Sequence, residues 1–365
     1  MFQKRHEISL AELTDLKKHN SRFFKEVCSI YEHAPEFGRP MIEWLQDQNV
    51  QLVLDPNYEG SGYCQIDLGR PVLTINAKNK NRYNELILHE GFHAIQLSGD
   101  NFDYQTDQDF EESIMHNFAL EAGAVSFTAM VQYEMLLNGK PGPFLYRKDM
   151  TDPVYHYIDS IYRKFEESFK SATASGLAQS DALQSAGAAA FSKAFETPYL
   201  VQEYLDQYMS IFVDHMRQFS KYPGEKIAEK RDVSIFGILP SGNSLSSGFN
   251  LNAAKIKTFQ AYPGFQAALD WLNYQRITLR GDQAVHFTIQ KRQEKALMDA
   301  NNPYLSIKYS DFETRYLENL ERPRDQRQPL LDILNEMSGD EAANQLAFDF
   351  HKRPESKLSS LFRKR

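Results

Sequence analysis

Cysteine is scarce in this chain: two in 365 residues, Cys28 and Cys64, far apart and each in an apolar setting. That argues for buried thiols in a reducing compartment rather than a disulfide or a metal clip. Long apolar runs are missing too. None approaches the roughly 18 residues a spanning helix needs, so no membrane association is expected. The positive start Met1-Phe2-Gln3-Lys4-Arg5-His6-Glu7 has no apolar stretch behind it. A signal peptide is therefore not expected, and the expected location is cytoplasmic, with export as an effector without a cleaved signal left open. Basic charge is also lacking: the net charge is −8, which leaves no global footprint for nucleic acid. What is present is ordinary for a globular protein, with 42% hydrophobic and 25% charged residues. The length allows a large core and two domains.

Of ten histidines, two stand in His89-Glu90-Gly91-Phe92-His93, inside the apolar-periodic run from Leu86 to Ile95. Residues four apart share a helix face. Both imidazoles can then meet one metal ion, with Glu90 beside them to handle a proton. The approach reads as a small sheet. Val50 to Leu54 alternates and stops at the turn-rich Asp55-Pro56-Asn57-Tyr58-Glu59-Gly60. Cys64, Ile66 and Leu68 alternate with polar neighbours, and Gly69-Arg70-Pro71 turns the chain into Val72 to Asn76. Period-2 patterning bounded by Gly, Pro and Asn marks strands. Val72 to Asn76 is expected at the sheet edge. Gly91 inside the helix costs roughly 1 kcal/mol relative to Ala, which suggests close packing or tolerance.

A third protein donor is needed. The residues after His93, Ala94-Ile95-Gln96-Leu97-Ser98-Gly99, carry neither the glycine nor the histidine of a metzincin, so that class is rejected. A second helical run follows, Phe110 to Leu137, containing Asn117-Phe118-Ala119-Leu120-Glu121-Ala122-Gly123-Ala124. Glu121 is a carboxylate in an apolar, small-residue segment, costly there unless paired or metal-bound. It is the preferred third donor. Glu111, Glu112 and His116 compete. The first two suit the solvated first turn of the helix, and His116 lies about 140° around the helix from Glu121.

These two elements, L-x-x-H-E-x-x-H-A-x-Q and a later x-E-A-x-A, resemble those of gluzincin-type metallopeptidases. The closest resemblance is to the bacterial proteins grouped as domain of unknown function 6782. The chain is more distantly similar to the ImmA/IrrE regulatory peptidases, which place E-A-x-x-F-A after their H-E-x-x-H. The resemblance covers about residues 45 to 140. It implies that His89, His93 and Glu121 bind zinc and that Glu90 is the catalytic base. It implies an α+β, predominantly α-helical fold: a zincin-like core with a small mixed sheet and an H-E-x-x-H helix. One position departs. Thermolysin-like gluzincins have Asp four residues after the ligand Glu, and here that residue is Val125. Asn117 and Glu85 are candidates to orient the histidines instead.

Elsewhere, Ser9 and Glu12 make a capping box for a helix carrying Leu13, Leu16, Phe23, Val27 and Ile30 on one face through about Tyr31. Asn138 to Pro143 is a break. A mainly helical subdomain is expected over 141–320, after a catalytic core over 1–140. Within it, Ser171 to Gly187 reads as an Ala/Ser-rich connector. Pro198 to Phe219 reads as an amphipathic helix. Pro240 to Gly248 reads as a flexible loop able to gate a cleft, and Gly264 to Tyr274 as a helix around Trp271. A polar, basic and mobile tail is expected over 321–365. In it, Gln345-Leu346-Ala347-Phe348-Asp349-Phe350 resembles the Q-L-x-L-x-F peptides that dock on bacterial sliding clamps. An oxyanion-stabilising His or Tyr is expected among Tyr155, His156, Tyr157, Tyr199, Tyr204 and His215. The expected activity is zinc-dependent hydrolysis of a protein or peptide substrate. The alternative is a catalytically inactive protein with a structural zinc site, acting by binding, including through the tail.

Overall fold

The computed structural model describes residues 6–9, 21–58, 60–98, 110–140, 153–196, 237–240, 242–246, 249–250, 263–280, 302–323, 326–328 and 330–339, together with 213 and 254. They form an α+β, predominantly helical protein. In chain order the elements are β1 (His6–Ser9), α1 (Ser21–His33), α2 (Gly38–Asp47), β2 (Gln51–Asp55), β3 (Gly62–Asp67), β4 (Arg70–Asn76), α3 (Tyr83–Leu97) and α4 (Phe110–Leu137). Then follow α5 (Pro153–Ala174), α6 (Gln179–Ala194), α7 (Pro263–Arg280), α8 (Tyr309–Leu320) and α9 (Leu330–Ser338). The chain gathers into two compact units: 1–103 with 118–200 and 232–249, and 104–117 with 201–231 and 250–365.

The first unit is built on a four-stranded mixed sheet in the order β1-β2-β4-β3. β1 runs antiparallel to β2, β2 parallel to β4, and β3 antiparallel to β4. Two expectations change here. Ser9 is no helix cap; it ends β1, opposite Gln51. The helix that carries Phe23, Val27 and Ile30 runs over Ser21–His33, while Glu12, Leu13 and Leu16 lie outside the described residues. A capping pair is a local pattern, and the long-range pairing of β1 with β2 overrides it. The second correction concerns the edge. β4 is internal, flanked by β2 and β3, so Val72 to Asn76 has no free side. Its burial says the same: every residue from Pro71 to Asn76 is buried. The outer strand beside β4 is β3, whose last three residues are exposed.

Helix α3 packs on β3 and β4, and α1 and α2 pack on α3. Phe23 of α1 meets Tyr83 of α3 edge-on at 5.1 Å. The apolar floor between them is lined by Val27, Ile42, Leu45, Leu73 and Ile87. Gly91 lies at a close approach of α2 to α3. A Cβ there would stand 3.1 Å from Leu45 Cδ1 and 3.2 Å from Met41 S. That close packing is what the helix gains for a poor helix former at its centre.

Helix α4 is apolar around nearly its whole circumference and buried along most of it, the pattern of a central helix. Phe92 of α3 stacks on Phe127 of α4 with centroids 4.4 Å apart. The stretch read as an Ala/Ser connector is instead a helical hairpin, α5 and α6, turning at Gly176 with φ +88°. Alanine is the best helix former, and Ala182, Ala186 and Ala190 are fully buried. Their small size lets α6 sit close to its neighbours. The segment expected to be a flexible gate is anchored. Ile238 bridges Ser244, Leu239 and Leu245 are buried, and Leu245 occupies the space a Cβ at Gly187 would need.

In the second unit Trp271 of α7 is fully buried and donates from Nε1 to the Ile307 carbonyl at 3.1 Å. The Tyr304 hydroxyl donates to Asn335 Oδ1 at 2.6 Å. The mobile tail expected from 321 does not begin there, because Leu331, Ile333 and Leu334 of α9 are buried and Asn319 bonds Gln328 twice. Residues 198–212 and the clamp-like Gln345 to Phe350 lie outside the described residues. Among the described residues no helix is long and apolar enough to cross a membrane.

Candidate metal centre

Helix α3 presents His89 and His93 one turn apart on one face, and α4 brings Glu121 to the same point. His89 Nε2 lies 3.2 Å from Glu121 Oε2, and His93 Nε2 lies 3.6 Å from Glu121 Oε1. The two Nε2 atoms are 3.2 Å apart. Among the described residues this is the one group of three or more His, Cys, Asp or Glu that could hold a metal ion. A tetrahedral ion with donors at about 2.0–2.2 Å would set them about 3.3–3.6 Å apart. The shortest separations, taken to different Glu121 oxygens, lie near that spacing, and one donor atom from each residue lies within 4.8 Å of the others, so the residues fit such an ion. His116, the rival donor on α4, is buried but not in this group. The side chains of Glu111 and Glu112 lie outside the described residues.

The electrostatics follow from crowding two imidazoles and two carboxylates into little water. Burial raises the Glu121 carboxyl, but the charge of His93 and hydrogen bonds from both histidines outweigh it and hold it far below the usual range. Burial depresses His93, and the Glu121 carboxylate overrides this, pushing it up to about 9. A cation therefore fits between these groups, and a metal must displace a proton from His93 to take its place. Glu90 is buried, and desolvation raises its carboxyl against the lowering effect of the two histidines. A raised carboxyl is suited to accepting and returning a proton. Burial, and then the Glu90 charge, push the Cys64 thiol well up, which disfavours the reactive thiolate, and Cys64 is not in the three-residue group.

Two residues complete the site that the sequence reading had given no role. Gln96 Oε1 lies 2.8 Å from His93 Nδ1, and Gln96 Nε2 donates to the Leu120 carbonyl at 3.1 Å. A carbonyl can only accept, so the Gln96 amide nitrogen must face Leu120 and its oxygen must face His93. That places a hydrogen on Nδ1 and leaves Nε2 free as a donor atom for metal. Gln96 thus links α3 to α4. Its signal was present as the Gln one turn after His93. Of the two residues named for this orienting task, Glu85 is held by Arg82 at 3.0 and 3.2 Å, and Asn117 is buried on α4.

The second is Gly62, the first residue of β3. A Cβ there would stand 2.9 Å from Glu90 Oε1 and 3.1 Å from Cγ. The strand comes that near the carboxylate only because the side chain is absent. Its entry is pinned: Arg82 donates to Ser61 Oγ at 3.0 Å, and Asn76 Nδ2 donates to the Tyr58 and Gly60 carbonyls. The side chains of Tyr155, His156, Tyr157, Tyr199, Tyr204 and His215 lie outside the described residues.

Residues 7–246 match the family described as "Putative metallopeptidase family (DUF6782)". No curated protein and no solved structure matches the chain.

Proposed function

The chain belongs to that family, with 7–246 matched, and from this premise we propose that it is a zinc-dependent peptidase of gluzincin type. His89, His93 and Glu121 are the metal-holding residues and Glu90 is the general base. The observation that carries the reading is the convergence of two imidazoles and one carboxylate at 3.2–3.6 Å beside a second, buried carboxylate, Glu90. Two imidazoles and one carboxylate are the donor set of catalytic rather than structural zinc sites. Zinc held there would supply a Lewis acid, acidifying water and polarising the scissile carbonyl.

The rest is done by the chain's own side chains. Glu90 accepts the proton of the attacking water and delivers it to the departing amine. Gln96 holds His93 in the tautomer that leaves Nε2 free. An extended substrate adds to the outer side of β3 through main-chain hydrogen bonds, with Gly62 leaving the scissile bond room to approach Glu90. The ImmA/IrrE likeness rests on the Glu121 element, the second half of the donor set.

The test is metal content by mass spectrometry, combined with turnover of denatured casein. About one zinc per wild-type chain, lost in His93→Ala and Glu121→Ala, is expected. Glu90→Gln should keep the zinc and lose turnover by 10²-fold or more. Retained turnover in Glu90→Gln would overturn the role of Glu90, and a wild type that takes up no zinc would overturn the reading as a whole.

A further inference from the structure

The hairpin joining β3 to β4 carries a leucine where the fold asks for something else. Asp67 pairs with Arg70, so the loop is the two residues Leu68 and Gly69. Both have positive φ, +48° and +79°. Such a two-residue turn needs Asn, Asp or Gly at its first position, because a branched side chain is strained in the left-handed region. Leu68 is also 98% exposed. It therefore gains nothing from burial in return for the strain. Ile66, on the same strand, is exposed as well, at 36%. A strained backbone bearing an apolar side chain with no packing partner is the kind of local inconsistency that marks a functional position.

Its place in the fold identifies the occupant. Leu68 is the first turn residue after the strand that begins at Gly62, beside Glu90. Six residue steps along a strand cover about 20 Å. Among the described residues β3 has a strand on one side only. A polypeptide laid along its outer side from Glu90 would reach the tip within about six residues. We propose that Leu68 is a substrate-selecting contact: it takes an apolar side chain of an extended polypeptide about four to six residues from the bond at Glu90. The inference rests on the peptidase reading. If the added strand runs antiparallel, as β4 does on the other side, the chosen side chain lies on the N-terminal side of the cleaved bond. The substrate class is then an unfolded or extended segment with a large apolar residue at that distance. A short dipeptide-like substrate would not use it.

The test separates strain from function, because the two move in opposite directions. Zinc-loaded full-length protein is compared with Leu68→Asn and Leu68→Met on reduced, carboxymethylated casein, with kcat, KM and melting temperature measured. Capture of the same casein is measured with Glu90→Gln and Glu90→Gln/Leu68→Asn proteins. Leu68→Asn should raise the melting temperature by about 2 °C. It should also raise KM and weaken capture about five- to tenfold, leaving kcat in place, while Leu68→Met restores wild-type values. A raised melting temperature with KM and capture unchanged would overturn the proposal and leave the peptidase reading intact. A change from dimer to monomer on Leu68→Asn would assign the contact to a second copy of this chain and overturn it as well. Casein capture through Leu68 without any turnover would sustain the contact and overturn the peptidase. A wild type that neither captures nor cleaves casein would overturn both.

Discussion

Replacing Gln96 with Met tests the site without any knowledge of the substrate. The substitution keeps the length of the side chain and removes two interactions, the 2.8 Å contact with His93 Nδ1 and the 3.1 Å bond to the Leu120 carbonyl. Without the acceptor at Nδ1, the hydrogen can move to Nε2, the atom that faces His89 and Glu121. The ring also loses its rotational restraint. Loss of such an orienting partner typically weakens metal binding 10- to 100-fold, or about 1.4–2.7 kcal/mol. Folding stability falls too, by roughly 1–3 kcal/mol for two buried hydrogen bonds. The two effects are separable. Zinc affinity is measured by competition with a chromophoric chelator, and stability by urea unfolding of the metal-free protein. A second variant sharpens the result: Gln96→Glu keeps the acceptor for Nδ1 and loses only the donor to Leu120. It should be destabilised yet hold zinc within a few-fold of wild type. If Gln96→Met lowers stability while zinc affinity moves less than threefold, Gln96 merely ties α3 to α4 and the orienting argument fails.

Other consequences can be checked independently. Gly62→Ala brings a methyl group to 2.9 Å from Glu90 Oε1, so the carboxylate must shift by several tenths of an ångström. Displacement of that order is expected to cut kcat about 10- to 100-fold with zinc stoichiometry unchanged; loss of zinc or an unaltered kcat would contradict this. Glu134 of α4 is buried, and its carboxylate accepts the Glu36 and Phe37 backbone N–H groups, just before α2, at 2.6 and 3.1 Å. Burial outweighs these bonds and raises its carboxyl to about 7. A carboxyl raised in the folded state contributes stability that is fully present below its ordinary value of 4.5 and is lost as pH rises through about 7. The loss has a ceiling of about 3 kcal/mol. Urea titrations from pH 4.5 to 8 should show it in wild type and a flatter profile in Glu134→Gln; identical profiles would refute it. Gly91→Ala must push against Leu45 and Met41 at 3.1–3.2 Å. Met is pliant, so the net effect should stay within about 1 kcal/mol of wild type by thermal melting; complete unfolding would show a tighter seam.

The residues that meet at the candidate centre divide by the range of the interactions behind them. His89 and His93 were legible because helical periodicity is local: four residues are one turn, so a shared face follows from spacing alone. Glu121 was marked by contrast, a carboxylate set among small apolar neighbours. The three strands around 51–76 and most of the helices were legible for the same local reasons. Period 2 and period 3.6 are properties of consecutive residues, and the fold class follows from adding them up.

What lay beyond the sequence was every decision made by partners distant along the chain. Ser9 and Glu12 have the spacing of a local cap, and β1 nonetheless pairs with β2, more than 40 residues on. Strand order has no local signature, so Val72 to Asn76 looked like an edge and lies inside the sheet. Gln96 had a local signal, one turn after His93, while Gly62 had none. Their roles depend on packing that brings Glu90 to Gly62 and Leu120 to Gln96. The pattern of the candidate metal-holding residues was written in the spacing of its residues. Only packing decided which strand is outermost beside Glu90 among the described residues and that the Gln96 amide is turned by the Leu120 carbonyl of α4, because those contacts join segments that nothing in the local sequence compels to meet.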